Sequence, residues 1–493
     1  MTTRRWVGVL MAAALGLAAC GGGDDSTSSA STAAATTATT AASTTAAPTT
    51  DAPTTTAAPP TTEAATPAGS GAIRVPEDQP TIQAAVDAAA EGDLILIAPG
   101  TYHEAVNVTT NNLTIRGLDR NEVVLDGQFE METGSRDRGA SGVAVENMTA
   151  MNYSKNGFFW TGVDGYRGSY LTAYRTGDYG IYVFDSINGL LEHSYGGGSP
   201  DAGIYIGECY PCNAVVDDVT SEHNGLGYSG TNSGGNLVIV NSVFRNNRAG
   251  MVPNSGSYEL CYPERDTTII GNAVYSNNET DTPAIDVAIL AMGNGILVAG
   301  GVQNRIERNR VDDHNKTGIG LVPFLEEDPN DVEPSPDSWT RPCAETKNDP
   351  VPDPDTVPDA ILWDAKQNSV VANVVTGSRV ADIAVASLGD VAVLGNCFAD
   401  NEAASSAPLD LEALAPCDGT GTGDWTAGLI DIGQWLVDAE NAPPSVPYDK
   451  AVLPPVPVLD GMPDPETAPA NPAVNMPPAV DLDAIGVPEL PAS

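Results

Sequence analysis

The sequence predicts an all-β solenoid, a chain that winds one short unit into stacked coils, and three observations carry that prediction. Gly157-Phe-Phe-Trp160, Gly180-Ile-Tyr-Val183 and Gly203-Ile-Tyr-Ile206 each follow a polar turn and recur every 23 residues, at 157, 180 and 203. A fixed period of this length signals a repeat architecture. Upstream of each glycine a short apolar strand ends in a small polar residue, most often Asn. The series reads Glu146-Asn147, Gly168-Ser169, Glu192-His193, Asp217-Asp218, Val240-Asn241, Gly271-Asn272, Arg308-Asn309, Ala372-Asn373 and Gly395-Asn396. Asn tolerates the left-handed corner that turns one strand into the next, and its amide can bond the Asn one rung above. Finally, 50 Gly and 38 Pro against seven Phe in 493 residues suit a turn-rich β structure.

The chain starts with Arg4 and Arg5, an apolar run from Trp6 to Leu17 too short to span a bilayer, and Leu17-Ala-Ala-Cys20 before Gly21. Residues 1–20 resemble a bacterial lipoprotein signal peptide. The resemblance implies export, lipidation of Cys20, and anchoring on the outer face of the bacterial cell membrane through the lipid alone. Residues 21–70 are almost entirely Ala, Thr, Ser, Gly and Pro; they cannot bury a core and read as a disordered tether.

The folded body starts at Ile73. Thr81 is placed as N-cap of a helix over 82–90, whose apolar positions recur at helical spacing, with Gly92 as its stop. This helix would cover the apolar end of the solenoid. Asp93-Leu-Ile-Leu-Ile-Ala-Pro-Gly-Thr-Tyr102, Leu113-Thr-Ile-Arg-Gly117 and Val123-Val-Leu-Asp-Gly127 start the coils. Inserts at 254–265, 276–294 and 326–360 interrupt the period, all beside the Gly-Ile-x-Val strand. The last insert is rich in Asp, Glu and Pro and reads as a long, flexible excursion. The solenoid is assigned to 71–400. Residues 401–493 hold two short helical candidates, 409–414 and 425–439, placed as a cap for the far end, and then a Pro-rich tail expected to be extended and largely unpacked.

Over roughly residues 72–400 the chain resembles the right-handed parallel β-helix superfamily, which includes pectate lyases, alginate epimerases and the nitrous-oxide-reductase maturation proteins. The resemblance implies a groove along one parallel sheet, walled by loops. The Gly-Ile-x-Val strand, flanked by every large insert, is the candidate for that sheet. Alternation along it sends Ile181, Val183, Ile204 and Ile206 inward and Phe159, Tyr182 and Tyr205 outward. With rungs about 4.8 Å apart, the three aromatics should form an exposed ladder that binds a polysaccharide through its C–H faces.

Ionisable residues flank the ladder: Lys155, Asp164, Arg175, Asp178, Asp185, Asp201, Glu208, Glu222 and His223. Asp178, Asp201 and Glu208 could meet from adjacent coils as acids or as Ca²⁺ ligands, and His223 or His314 could act as a base. Tyr179-Gly180-Ile181 resembles the start of the alginate-epimerase signature, but Tyr182-Val183-Phe184-Asp185 stands where Asp-Pro-His-Asp should follow, so that activity does not carry over. Four His and nine Met form no copper-ligand cluster. Of seven Cys, six remain beside Cys20. Export makes disulfides the default, with Cys209–Cys212, Cys261–Cys343 and Cys397–Cys417 as the expected pairs and a four-Cys zinc site as the alternative.

A formal net charge of −43 argues against nucleic acid or an anionic membrane face as partner, and against a polyanionic glycan unless cations bridge the two. The reading is therefore a cell-surface lipoprotein that binds or processes a polysaccharide; as an enzyme it would be a lyase, epimerase or glycoside hydrolase. The alternatives are a non-catalytic envelope or adhesion module and a periplasmic maturation accessory protein.

Overall fold

The computed structural model describes residues 71–472, 477 and 479–490. Cys20, the signal segment and the tether lie outside the described residues. Strands Val106–Val108, Thr133–Arg138, Asn156–Thr161, Ile181–Phe184, Ala202–Gly207, Leu226–Thr231, Ala249–Asn254, Ile296–Ala299, Thr317–Val322, Ala381–Val385 and Ser406–Ala407 stack in chain order into one 11-stranded parallel sheet. The Gly-Ile-x-Val strands lie at its centre. The other strands of each coil form a 21-stranded parallel sheet. Cα pairing of Phe158 with Ile181 and of Ile181 with Ile204 confirms the 23-residue register. Phe158, Trp160, Ile181, Val183, Ile204 and Ile206 are fully buried, so alternation along the repeat builds one continuous core.

The corner chemistry is divided between two adjacent columns. The left-handed residues are Asn147, Tyr170, His193, Asp218, Asn241, Gly271, Arg308, Ala372 and Asp400. The residue after each turns inward, and where it is Asn it forms a ladder. Asn309 Oδ1 accepts from the Asn272 backbone N–H at 3.0 Å, Asn373 Oδ1 from Asn309 at 2.9 Å, and Asn401 Oδ1 from Asn373 at 3.0 Å. Thus Asn241 and Asn272 play different parts although the sequence pattern groups them. Asn396 belongs to a separate ladder, Asn304–Asn368–Asn396, because the last coil is longer and the continuation of Asn373 is Asn401.

Helix α1 (Ile82–Ala88) is capped by Thr81, whose Oγ1 accepts from the Ala84 N–H at 3.1 Å, and it buries Ile82, Ala85 and Val86. Helix α2 (Asp286–Ala291) comes from the second insert. The third insert is folded rather than flexible. Phe324–Glu327 pairs antiparallel with Ala360–Trp363, and helix α3 (Cys343–Thr346) lies between them. Buried Glu326 anchors it by accepting from the Ser257 N–H at 2.9 Å and Trp363 Nε1 at 2.7 Å. Helix α4 (Leu411–Leu414) closes the far end, with Leu411 and Leu414 in the main core. Helix α5 (Ile432–Glu440) is not an end cap: Ile432 and Trp435 pack on the outer face of the 11-stranded sheet.

The Pro-rich tail is packed rather than loose. Proline lacks an N–H and cannot add a regular β ladder, so the solenoid instead grips tail carbonyls with arginine and asparagine. Arg116 donates to the carbonyls of Ala468 and Pro469, both at 2.8 Å, while its Nε pairs with buried Glu146 at 2.6 Å. Arg120 reaches the Asp460 carbonyl at 3.1 Å and Asn121 the Leu459 carbonyl at 2.9 Å. Further along, Val480, Leu482 and Ile485 cover an outward patch of Val215, Val238, Val240 and Ile270.

Candidate functional site

Phe159, Tyr182 and Tyr205 are direct Cα partners on three successive rungs. They do not form an exposed ladder. Phe159 is 7% exposed and Tyr205 1%; only Tyr182 is half-buried. Tyr182 stacks on Phe159 with centroids 4.5 Å apart and rings 16° from parallel, and on Tyr179 at 4.3 Å and 11°. Its two faces are thereby taken up by neighbouring rings. The Arg136 guanidinium lies 5.2 Å from the Phe159 ring centre, and Tyr205 stands nearly edge-on to Tyr182 at 4.8 Å and 66°. The repeat sends the aromatics outward as expected; Tyr179 and the inserts then convert them into a second, smaller hydrophobic layer.

The acids lie around this layer. Asp178 and Asp201 occupy the turn before successive strands, and the Asp201 N–H donates to the Asp178 carbonyl at 3.3 Å. Burial pushes Asp178 up to about 6, against the pull of Lys155. Burial, and next the charge of Asp178, push Asp201 up to about 8, against a hydrogen bond from Tyr179. Glu259, on the 254–265 insert, accepts from the Tyr205 hydroxyl at 2.6 Å. Burial pushes Glu259 up to about 8 as well, aided by the charges of Glu208 and Asp201. Glu208 is raised by burial but opposed by Lys347, whose Nζ lies 3.2 Å away and also pairs with Asp185, and by the Leu260 N–H at 3.0 Å. Electrostatic coupling thus runs Asp178–Asp201–Glu259–Glu208 around the aromatic layer.

The sequence reading misses Glu259, Tyr179 and Arg136. Arg136 was accessible to it, since 136 lies one 23-residue period before Phe159 and the two are Cα partners. Glu259 carried no signal, because it sits in an aperiodic insert. His223 does not join the acids. It occupies a left-handed corner after the Thr220–Glu222 strand of the other sheet, with Nε2 4.0 Å from Glu222. His314 is not a base in solvent either: it is fully buried, takes the amide of Asn277 at 3.2 Å as the next member of an Asn224–Asn247–Asn277 ladder, and is pushed by burial down to about 3. His193 is a left-handed corner residue whose Nδ1 lies 2.6 Å from Asp218.

Among the described residues no group of three or more His, Cys, Asp or Glu is disposed to hold a metal ion, so Asp178, Asp201 and Glu208 do not converge as a Ca²⁺ ligand set. Among the described residues the six cysteines form the three expected disulfides, Cys209–Cys212, Cys261–Cys343 and Cys397–Cys417, which leaves none of the six as a thiolate for the zinc alternative. Cys261–Cys343 ties the third insert to the first, and α3, which Cys343 begins, carries Lys347 over Glu208.

A family model described as a right handed beta helix region matches residues 156–322, the segment that holds the aromatic layer, the acids and the most regular coils. The solenoid is a right-handed parallel β-helix. Solved structures similar to this β-helix include the Azotobacter vinelandii mannuronan C-5 epimerase AlgE4 A-module, at 13% identity and a TM-score of 0.42, covering 65% of this chain and 90% of that one. A rhamnogalacturonan lyase is similar at 10% identity and a TM-score of 0.41, over 69% of this chain and 83% of that one. The periplasmic alginate epimerase AlgG is similar at 12% and 0.38, over 64% and 72%. At these identities no residue role transfers to the β-helix described here. A search of curated proteins by sequence matched none. No helix of the described residues is long and apolar enough to cross a membrane.

Proposed function

We propose that this β-helix is exported, anchored through a lipid on Cys20 to the outer face of the bacterial cell membrane, and carries out acid–base chemistry on a glycan at the carboxyl cluster beside Tyr182. One observation carries the reading. Asp178, Asp201 and Glu259 come from two coils and an insert to one patch of the sheet's outer face, and all three are displaced upward from the ordinary carboxylate range. Environments that separate neighbouring carboxyls in this way supply an ionised base and a protonated acid at the same pH. Near pH 7 Asp178 is the base and Asp201 the acid, the two roles that hydrolysis of a glycosidic bond requires. The ring stack serves as the floor that holds these carboxyls out of water rather than as a sugar platform. The density of acids favours a neutral glycan over a polyuronate.

The test is turnover of a panel of neutral and anionic polysaccharides, followed by release of reducing ends and by absorbance of unsaturated products, for the parent chain and for Asp178→Asn and Asp201→Asn. Each variant should lose at least about a hundredfold in rate, and the parent should show a bell-shaped pH profile centred between its two carboxyl pKa values. A parent chain with no turnover on the panel, or variants as active as the parent, sinks the proposal. A second reading, a rigid non-catalytic envelope or adhesion module, is favoured by the burial of Phe159 and Tyr205. It predicts glycan-independent adhesion that both variants leave intact.

A further inference from the structure

Glu132, Lys155, Asp178 and Asp201 stand 23 residues apart and fall at the same position of four successive coils, in the turn before each strand of the 11-stranded sheet. Their backbones are joined in series. The Lys155 N–H donates to the Glu132 carbonyl at 2.8 Å, that of Asp178 to Lys155 at 2.9 Å and that of Asp201 to Asp178 at 3.3 Å. Residues stacked in this way project in the same direction, so the side chains form a column with the rung spacing of about 4.8 Å between neighbours. The column runs from open to closed. The side chains of Glu132 and Lys155 are 62% and 45% exposed, Asp178 is half-buried and Asp201 is 6% exposed. The second insert covers the Asp201 end, where the Ile285 N–H donates to the Pro200 carbonyl at 3.0 Å. The pair is thus open to a ligand from the Lys155 side.

The spacing decides how such a pair cuts a glycosidic bond. Carboxyl groups about 5–5.5 Å apart leave no place for a water between them, and one attacks the sugar directly; a pair that activates water stands about 6.5–9.5 Å apart. Neighbouring rungs of one column belong to the first class. A carboxyl that attacks carbon must also be ionised while its partner is protonated. Lys155 is the cation among the groups whose charge reaches the pair, the others being Tyr179, Tyr258 and Glu259. It lies in the column between two acids, with its ammonium 3.4 Å from Glu132 on one side and Asp178 one rung away on the other. Asp201, a further rung on, is met instead by Tyr179 and the acids Asp178 and Glu259.

We propose that Asp178, the basic member of the pair, is the nucleophile and Asp201 the proton carrier of a double displacement that retains anomeric configuration, with Lys155 as the positioning residue that keeps Asp178 charged. The inference rests on the hydrolytic role proposed for the pair. In the first step an Asp178 carboxylate oxygen bonds to the anomeric carbon, the bond from that carbon to the leaving oxygen breaks, and the leaving oxygen takes the Asp201 proton. In the second, water gives a proton to Asp201 and its oxygen bonds to the anomeric carbon as the ester to Asp178 breaks. Both carboxyls are restored and the sugar leaves in its starting configuration.

Proton NMR of the first minutes of hydrolysis, on the panel polysaccharide that the parent chain turns over fastest, reads the anomer released before mutarotation. The starting configuration is expected, and added methanol should yield methyl glycosides of that same configuration, because the ester can be opened by another small hydroxyl. Lys155→Met should move the acidic limb of the pH profile up by about one pH unit, as loss of a cation one rung from a carboxylate requires, and Lys155→Arg should restore it. A merely structural Lys155 would lower the rate without moving the limb. No turnover by the parent, or unsaturated products, overturns the hydrolytic role and this inference together. Hydrolysis that releases the opposite anomer, or gives no methyl glycosides, overturns this inference alone, and an acidic limb unmoved in Lys155→Met overturns the part given to Lys155.

Discussion

Replacing Asp201 by Asn isolates the energetic cost of the carboxyl cluster. Asp201 is 6% exposed, and its folded-state pKa is pushed up from the ordinary 3.8 to about 8. Below pH 4 the carboxyl is protonated in both folded and unfolded chains, and the group contributes no pH dependence. Between about pH 4 and pH 8 the unfolded chain gives up this proton while the folded chain keeps it, so the folded state binds more protons and stability falls as pH rises. Each tenfold gain in proton affinity on folding corresponds to about 1.4 kcal/mol, which sets a ceiling of about 6 kcal/mol by pH 8; relaxation of a coupled cluster lowers it to roughly half. The Asn side chain has nearly the same shape, can still meet Tyr179, and does not titrate. Urea unfolding at pH 5 and pH 8 should therefore show the parent losing several kcal/mol more than Asp201→Asn across that interval, with Asp201→Asn the more stable chain at pH 8. Parallel stability–pH curves for the two chains would refute the reasoning, because they would mean that Asp201 ionises in the folded state as freely as in the unfolded one.

Two further outcomes follow from the packing. Asn309→Ala removes four hydrogen bonds, two accepted from Asn272 and two donated to the Ile269 carbonyl and to Asn373 Oδ1, and should cost about 2–4 kcal/mol in urea unfolding; a loss under 1 kcal/mol contradicts the ladder. Truncation after Ala442 strips carbonyl acceptors from Arg116 and Arg120, so hydrogen exchange should rise along the strand Thr114–Gly117 and at the corner holding Asn121; unchanged protection there contradicts the role given to the tail.

How far the sequence could be read follows from which residues obey the period. Phe159, Tyr182 and Tyr205 were legible as one outward column because strand alternation and a 23-residue turn number leave no other placement once Ile181 and Ile204 face inward. The disulfides were legible because Cys209, Cys212, Cys261 and Cys343 all follow the same strand on different coils. Exposure was not legible. It depends on Tyr179, which is two residues before Ile181 and has no aromatic counterpart at 156 or 202, and on Glu259, whose position comes from an insert with no period at all. The docking of the tail is not legible in its composition, which excludes a core of its own but not packing onto another: its prolines leave carbonyls free, and the arginines that donate to those carbonyls lie more than 300 residues away in sequence.

The same distinction explains how one face of the β-helix can carry two different chemistries. Along the outward column, Arg136, Phe159, Tyr182, Tyr205, Ser229 and Val252 are set by the repeat and pass from cationic through aromatic to aliphatic. Packing a roof on that column requires groups of matching polarity, and only the inserts and the C-terminal helix are free of the period to supply them. Over Tyr205 the first insert supplies Glu259 and the third supplies Lys347 for Glu208, so the aromatic part ends in titratable groups held at low dielectric. Over Val252 and Leu297 the second insert supplies α2 and the C-terminal segment α5, both with apolar faces, so the aliphatic part is roofed by apolar side chains. A substitution in the column should therefore act through its roof. Tyr205→Phe keeps the ring but leaves Glu259 without its hydrogen-bond donor, which pushes that carboxyl further up and should move the alkaline limb of any activity profile to higher pH while the aromatic packing stays intact. An alkaline limb that stays in place in Tyr205→Phe would separate Glu259 from the chemistry and leave it to Asp178 as base and Asp201 as acid.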